Sequence, residues 1–416
     1  MPTPAPHKQP HQAQWEIDIF KNCASFINGM AFKPSDWDKQ GLEIIRIQNL
    51  TGNQNTINYY AKPYDKKYEV NYGDMLIAWS ASLGVYIWKG EKAILNQHIF
   101  KVIFDKREIN KDFFYFYVKL KINDMLKYTN GSTMKHITKV NFENIKIPLP
   151  PLATQENIAQ VLNMLDKKIE LNTRINTELE ALAKLLYTRY FVEYNFPDSS
   201  GKPYKASGGA MVYDPTLKRE IPQSWEVAKI GDLCSIQSGF AFSTKDFNKQ
   251  GAYKLITIKN VKDGFISIDT DNKISTLPPK LPAFCRLQKG DILLSLTGNV
   301  GRVGMVWDKN LLLNQRVGIV QEKEANKSFL YCLFRSEIMK TTLENLAGGT
   351  SQDNLSPILT EKLWTLKPSK ETLNKFHSEV STILESILTN QQESQRLAEW
   401  RDHLLPLLMG DQVEVV

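Results

Sequence analysis

A chain of 416 residues, 42% hydrophobic and 23% charged, is long enough for two or three domains and has the composition of a folded, water-exposed protein. Lys and Arg outnumber Asp and Glu by 52 to 45, a net charge of +7 with an isoelectric point near 8.9, which suits an anionic partner without requiring one. No run of eighteen apolar residues occurs, which excludes a membrane-spanning helix, and Cys23, Cys234, Cys285 and Cys332 are too scattered for a metal site and read as reduced thiols of a cytoplasmic protein.

In chain order, residues 1–14 are Pro- and Gln-rich with no apolar core, as in a disordered tail. A first globular unit is expected over 15–151. Short apolar runs at Glu43 to Ile47, Met75 to Trp79, Val85 to Trp88 and Ile99 to Phe104 read as strands, and Lys111 to Lys127 as a helix. The run Ile145 to Pro151 is a short strand that its prolines end. Residues 152–193 then carry neither Gly nor Pro. Their buried-type positions (Ile158, Leu162, Leu165, Ile169, Asn172, Asn176, Leu179, Ala183, Leu186) alternate steps of four and three, the seam of a long helix packed on another.

A linker containing Pro, Gly and Ser follows over 194–224, with Ser207-Gly208-Gly209 as its flexible step. A second unit covers 225–370, with strands at Leu255 to Ile258, Ile292 to Leu296, Gly304 to Trp307 and Val317 to Val320 and one helix at Lys327 to Leu346. A second long helix spans 371–410, and 411–416 form a C-terminal tail. Its seam, shifted by 219 residues, repeats the first: Leu384 on Leu165, Leu388 on Ile169, Gln391 on Asn172, Gln395 on Asn176 and Leu405 on Leu186. A shared polar break in two apolar seams costs stability but fixes register.

The globular units are themselves one sequence written twice. Trp15 aligns with Trp225, Gly29 with Gly239, Phe32 with Phe242 and Lys39-Gln40-Gly41 with Lys249-Gln250-Gly251. Further on, Gly73-Asp74 aligns with Gly290-Asp291, Asn96-Gln97 with Asn314-Gln315, and Gly131 with Gly349. The expected fold is α+β: two similar α/β domains separated by two long antiparallel α-helices forming a coiled coil, with internal pseudo-two-fold symmetry. Paired modules on a two-fold frame are how many DNA readers address two half-sites.

The loops dense in small, polar and basic residues at matching places are the candidate DNA contacts. In the first unit these are Trp79, Ser80, Ser82, Gln97, His98, Ser132, Thr133, Lys135 and His136. In the second they are Thr297, Asn299, Arg302, Gln315, Arg316, Thr350, Ser351, Gln352 and Asn354. Gln and Asn suit adenine edges, Arg suits guanine, and Ser and Thr suit phosphates or either base; the same residues are also ordinary turn formers.

Catalytic motifs are missing. Pro150-Pro151 has Leu149 and Leu152 beside it, so no amide stands ready to hold an adenine amino group. Three Asp-x-Lys matches (Asp65, Asp166, Asp271) are what chance supplies, and no phosphate loop or nucleophile elbow occurs. His7 and His11 flank Pro10 in the tail and make a poor metal pair. The reading is of a protein that is not an enzyme and binds no metal. A different class fits less of the sequence: a coiled-coil adaptor whose terminal domains bind protein or glycan.

The duplicated Gly-x-Ala-Phe (Gly29 to Phe32, Gly239 to Phe242), the run Ile147 to Gln155, the Gly201 to Gly209 linker and the closing Leu404 to Gly410 together resemble the specificity subunit of type I restriction-modification systems. The likeness covers nearly the whole chain. It implies that each unit is a target-recognition domain reading one half of a bipartite site on double-stranded DNA. It further implies that the long helices dock two modification subunits, which carry S-adenosylmethionine and methylate adenine at N6. Restriction subunits would add translocation and cleavage with ATP and Mg. The chain itself would hold no cofactor and act in the cytoplasm. The second copy departs from the Pro-Leu-Pro-Pro pattern at Lys367-Pro368-Ser369.

Overall fold

In a computed structural model of the chain, residues 15–51, 57–128, 137–348 and 354–410 are described. The chain forms two compact units, one from residues 1–168 with 397–416 and one from 169–396.

The first unit opens with β1 (Glu16–Ile19) and continues through β2 (Ser25–Asn28), β3 (Leu42–Ile45), β4 (Tyr59–Tyr60), β5 (Glu69–Val70), β6 (Met75–Ala78), β7 (Gly84–Ile87), β8 (Ala93–Leu95), β9 (Ile99–Ile103) and β10 (Lys146–Leu149). Strands β2-β9-β6-β7 make one antiparallel sheet. A second sheet, β4-β3-β8-β5, contains a parallel step with Ile45 opposite Leu95. β1 pairs with β10, Glu16 opposite Leu149, and so ties the start of the unit to its end. The helix Lys111–Tyr128 packs Phe113, Phe114 and Phe116 under the first sheet against Phe20, Phe26, Phe100 and Phe142, all buried.

The second unit has β11 (Met211–Asp214), β12 (Arg219–Pro222), β13 (Glu226–Lys229), β14 (Cys234–Ser238), β15 (Tyr253–Ile256), β16 (Lys273–Ile274), β17 (Ile292–Ser295), β18 (Val303–Met305), β19 (Leu311–Leu313), β20 (Val317–Glu322) and β21 (Trp364–Lys367). Its sheet β14-β20-β17-β18 repeats the first unit's order, its β15–β19 pair repeats the parallel step, and β13–β21 repeats the β1–β10 tie.

Three local expectations change. The helix expected from Lys327 to Leu346 is two helices, Lys327–Arg335 and Glu337–Ala347, because Ser336 leaves the helical region (ψ 144) and its Oγ accepts from Met339 N as an N-cap. The long helix ends as regular α-helix at Tyr187 and closes with a π-helical turn, Thr188–Val192. The stretch read as a flexible linker is folded. Phe196 stacks on Tyr204 and on Trp225, Asp198 caps a turn through Ser200 N and Lys202 N, and β11 pairs with β12 as a hairpin. Aromatic residues in and beside it, Tyr194, Phe196 and Trp225, join the second unit's core, a role its Pro and Gly content hid.

The two long helices, Leu152–Tyr187 and Lys370–Met409, run antiparallel within each unit. In the first unit Arg401 bonds Asp166 at 2.6 Å, and Leu162 and Leu405 enter the aromatic core. In the second, Asn172 Nδ2 donates to Glu393 Oε2 (2.7 Å), Asn390 Nδ2 to Asn176 Oδ1 (2.9 Å) and Tyr190 OH to Glu379 Oε1 (2.6 Å). Partner numbers fall on one helix as they rise on the other. Asn176, the repeat equivalent of Gln395, therefore lies opposite Ile387 and Asn390. Leu179, Leu186, Leu384 and Leu388 pack into the second unit's core, so the seam is covered by globular domain as well as by the other helix. Leu165, Ile169, Gln391 and Gln395 are half-buried, and Asn172 is fully buried.

Candidate nucleic-acid interface

In each unit the same backbone junction joins described residues at the ends of the expected loops. The strand before the first loop ends where the Trp79 N–H donates to His98 O, and the Trp79 carbonyl accepts from Ile137 N, the first described residue after the third loop. In the second unit Leu296 N donates to Arg316 O, and the Leu296 carbonyl accepts from Leu355 N. The Gly-x-Ala-Phe segment binds underneath. Met30 N donates to Leu95 O and Gln97 N to Met30 O; Phe240 N donates to Leu313 O and Gln315 N to Phe240 O. This junction explains the repeated glycine. A Cβ on Gly239 would stand 2.5 Å from Asn314 O, and one on Gly29 would run into the carbonyls of Leu95 and Asn96.

Around this shared backbone the side chains differ. In the first unit Trp79 lies over Phe100 (centroids 5.7 Å, 20° between planes), meets His98 edge-on at 5.5 Å and donates from Nε1 to Asn28 Oδ1 at 3.2 Å. Gln97 Nε2 and His98 Nε2 are 3.3 Å apart. Ser80 is half-buried and Ser82 exposed in the turn that holds Ala81 at φ 59. In the second unit Leu296 is buried, while Asn299, Gln315, Arg316 and Asn354 are exposed. Thr297 bridges to Asn354, and its Oγ1 is buried without a hydrogen-bond partner. Arg302 is fixed through its backbone N–H, which donates to Ser295 Oγ at 2.9 Å. Ser132, Thr133, Lys135, His136, Thr350, Ser351 and Gln352 lie outside the described residues. Two residues that the sequence reading did not single out also lie beside these loops: Asn28, next to the repeated glycine, and Arg46, the residue after β3.

The chance matches to catalytic patterns have structural occupations. Asp65 caps a turn by accepting from Lys67 N, and Asp166 sits between Arg401 and Lys119. Burial pushes the Cys23 thiol to about 11 and the Cys234 thiol to about 12, so neither is a thiolate nucleophile at neutral pH. Among the described residues no group of His, Cys, Asp or Glu could hold a metal ion, and no helix is long and apolar enough to cross a membrane.

Comparison with known proteins agrees with this architecture. Residues 18–181 and 222–377 match the family model described as type I restriction modification DNA specificity domain. The type I restriction enzyme MjaVIII specificity subunit of Methanocaldococcus jannaschii is 32% identical over 373 residues, spanning 86% of this chain and 83% of that one. The EcoBI specificity subunit of Escherichia coli is 25% identical over 430 residues, 95% of this chain and 89% of that one. The crystal structure of a type I restriction-modification S subunit from M. genitalium superposes over 97% of this chain and 98% of its own, with a TM-score of 0.55 at 14% identity, a likeness of fold.

Proposed function

The chain belongs to the type I restriction-modification DNA specificity family, and from that premise we propose that it is a non-catalytic subunit that reads a split, asymmetric site on double-stranded DNA. One observation carries the reading. Each unit builds the same three-loop junction by the same hydrogen bonds, yet fills it differently, with Trp79, Gln97 and His98 in one and Thr297, Gln315, Arg316 and Asn354 in the other. A junction that keeps its backbone and varies its polar side chains is what two readers of different base sequences require.

The second half of the proposal is a scaffold for modification subunits. On the first long helix Leu171, Ile175, Leu182 and Leu185 are 38–63% exposed at steps of four, seven and three, a second apolar row beside the inward seam. A row at that spacing fits a helix from another protein. S-adenosylmethionine, ATP and Mg would then serve chemistry on the modification and restriction subunits, in the cytoplasm, where the four buried thiols remain reduced. Selection from random duplex DNA tests the reading. A consensus in two separated, unlike halves supports it; no enrichment sinks it and favours an adaptor that binds protein or glycan. Methyl transfer by the purified chain alone would refute the non-catalytic assignment.

A further inference from the structure

The parallel pair in each unit brings one more strand end to the junction. β3 and β8 run with Ile45 opposite Leu95, so the next residues, Arg46 and Asn96, emerge side by side, and Asn96 N donates to Ile45 O at 3.3 Å. In the second unit the same step, Ile256 opposite Leu313, brings out Thr257 beside Asn314, with Asn314 N donating to Ile256 O at 3.1 Å. The two residues are handled in opposite ways. Thr257 is tied down, its N–H and hydroxyl both bonding Asn260 Oδ1 (3.1 and 2.8 Å) while the Asn260 amide is spent on Ser267 O and Asp269 O.

Arg46 instead is held ready. Its guanidinium lies 5.6 Å from the centroid of Trp37, which is 42% exposed, and its Nη1 donates to Asn58 Oδ1 at 3.2 Å. Its backbone N–H is capped by Asn49 Oδ1. The other two arginines of this unit are neutralised, Arg107 by Glu16 and Asp18, and Arg401 by Asp166 and Asp402. Arg46 has no carboxylate partner among the described residues. A guanidinium fixed by a ring and an amide, with its charge unanswered, has its ordering cost largely met before a ligand arrives.

We propose that Arg46 is the guanine-reading residue of the first half-site, as Arg316 is of the second. This rests on the DNA-reading function above. The two units exchange positions: where the second unit carries Arg316 on its loop, the first carries His98, and where the first carries Arg46 at its strand end, the second carries Thr257. With Nη1 engaged by Asn58, Nη2 and Nε remain in one plane, the fork that matches guanine O6 and N7. Asn58 and Trp37 are positioning residues.

The test is duplex-DNA selection with the full-length chain in the complex it forms in its own cells, comparing wild type, Arg46→Ala, Arg46→Lys and Arg316→Ala, with a thermal melt of each. Arg46→Ala should abolish one guanine requirement in a single half of the consensus, lowering discrimination at that base pair about 5- to 150-fold. The other half should stand. Arg316→Ala should do the converse, and Arg46→Lys, which keeps charge and fold, should lose the guanine preference as well. If Arg46→Ala weakens every sequence equally and Arg46→Lys restores binding, the residue holds a phosphate and the proposal is wrong. An unchanged consensus in Arg46→Ala overturns it too. A wild-type protein that selects no split consensus removes the DNA-reading function itself, and Arg46 with it.

Discussion

Replacing Gly239 by alanine tests whether the backbone junction is what holds the second reader. The new Cβ would sit 2.5 Å from Asn314 O and 2.7 Å from Asn314 C, atoms that no rotamer change can remove. Ordinary contact begins near about 3.5 Å, so the Gly-x-Ala-Phe segment and the Asn314 loop must separate by about 1 Å. Overpacking of this kind costs about 1–3 kcal/mol. The separation also stretches Gly239 N to Val317 O and Phe240 N to Leu313 O, each 3.0 Å and each worth about 0.5–1.5 kcal/mol. The sum, about 2–6 kcal/mol, lowers the melting temperature of a unit this size by about 4–24 °C. Gln315 hangs from the same segment through Phe240 O, so discrimination in the second half-site should fall while the first half is unchanged. Gly73→Ala is the control. Its φ of +87 imposes strain of about 1–2 kcal/mol, but nothing lies within 4 Å of the added carbon, and both halves should be read as before. Native melting with an unaltered consensus in Gly239→Ala would refute the argument.

Tyr331→Phe removes the hydroxyl that donates to Glu180 Oε1 at 2.5 Å, leaving that carboxylate with Arg335 Nε at 3.3 Å; urea titration should show a loss of about 1–3 kcal/mol, and an unshifted midpoint would show the bond contributes nothing. Leu182→Asp puts a charge in the exposed apolar row. Fold stability should change by only about 0.5 kcal/mol, while co-purification with a modification subunit should drop at least about tenfold, a loss of roughly 1.4 kcal/mol; undiminished co-purification would rule out the row as a docking surface. The Arg107 clamp predicts an acid-side effect. Hydrogen bonding from Arg107 holds Glu16 below its ordinary 4.5. Burial works against Asp18, but Asn22, the Ile19 N–H and Arg107 hold it below 3.8. Lowered folded-state values mean stability that is present above the ordinary pKa values and lost as pH falls through the folded ones. Arg107→Ala should therefore melt earlier than wild type at pH 7, and the gap should narrow below about pH 4; a gap independent of pH would contradict the assignment.

The duplication made much of this legible, because each unit is an independent statement of the same constraints. Gly29 and Gly239 recur since a carbonyl occupies the space their side chains would need, and that requirement survives when the neighbours change. The strands Ala93–Leu95 and Leu311–Leu313 were not legible. Three buried residues give no alternation, and what makes them strands is the parallel partner far away in sequence, Leu42–Ile45 or Tyr253–Ile256. The break at Ser336 was hidden for a different reason: an N-cap inside an apolar helical pattern looks like one more polar position. The hairpin Met211–Pro222 and the aromatic cluster on Trp225 were masked by turn-forming residues around them.

Arg46, proposed above as a reading residue, shows why such residues are harder to read than the frame that carries them. Arg46 falls at the end of a strand pattern, where sequence gives it the same weight as any charged edge residue. Its significance comes from Trp37, Asn58 and Asn96, nine residues before it and twelve and fifty after it, meeting at one strand end. Nothing in the junction itself demands arginine there, since the second unit closes the same hydrogen bonds with Thr257. The frame depends on backbone groups and one glycine per unit, so it leaves the surrounding side chains free. Trp79 can become Leu296, and His98 can become Arg316, with every junction bond preserved. A fold whose integrity is indifferent to its reading residues can change what it reads without being rebuilt, and for the same reason its sequence exposes the frame more readily than the readers.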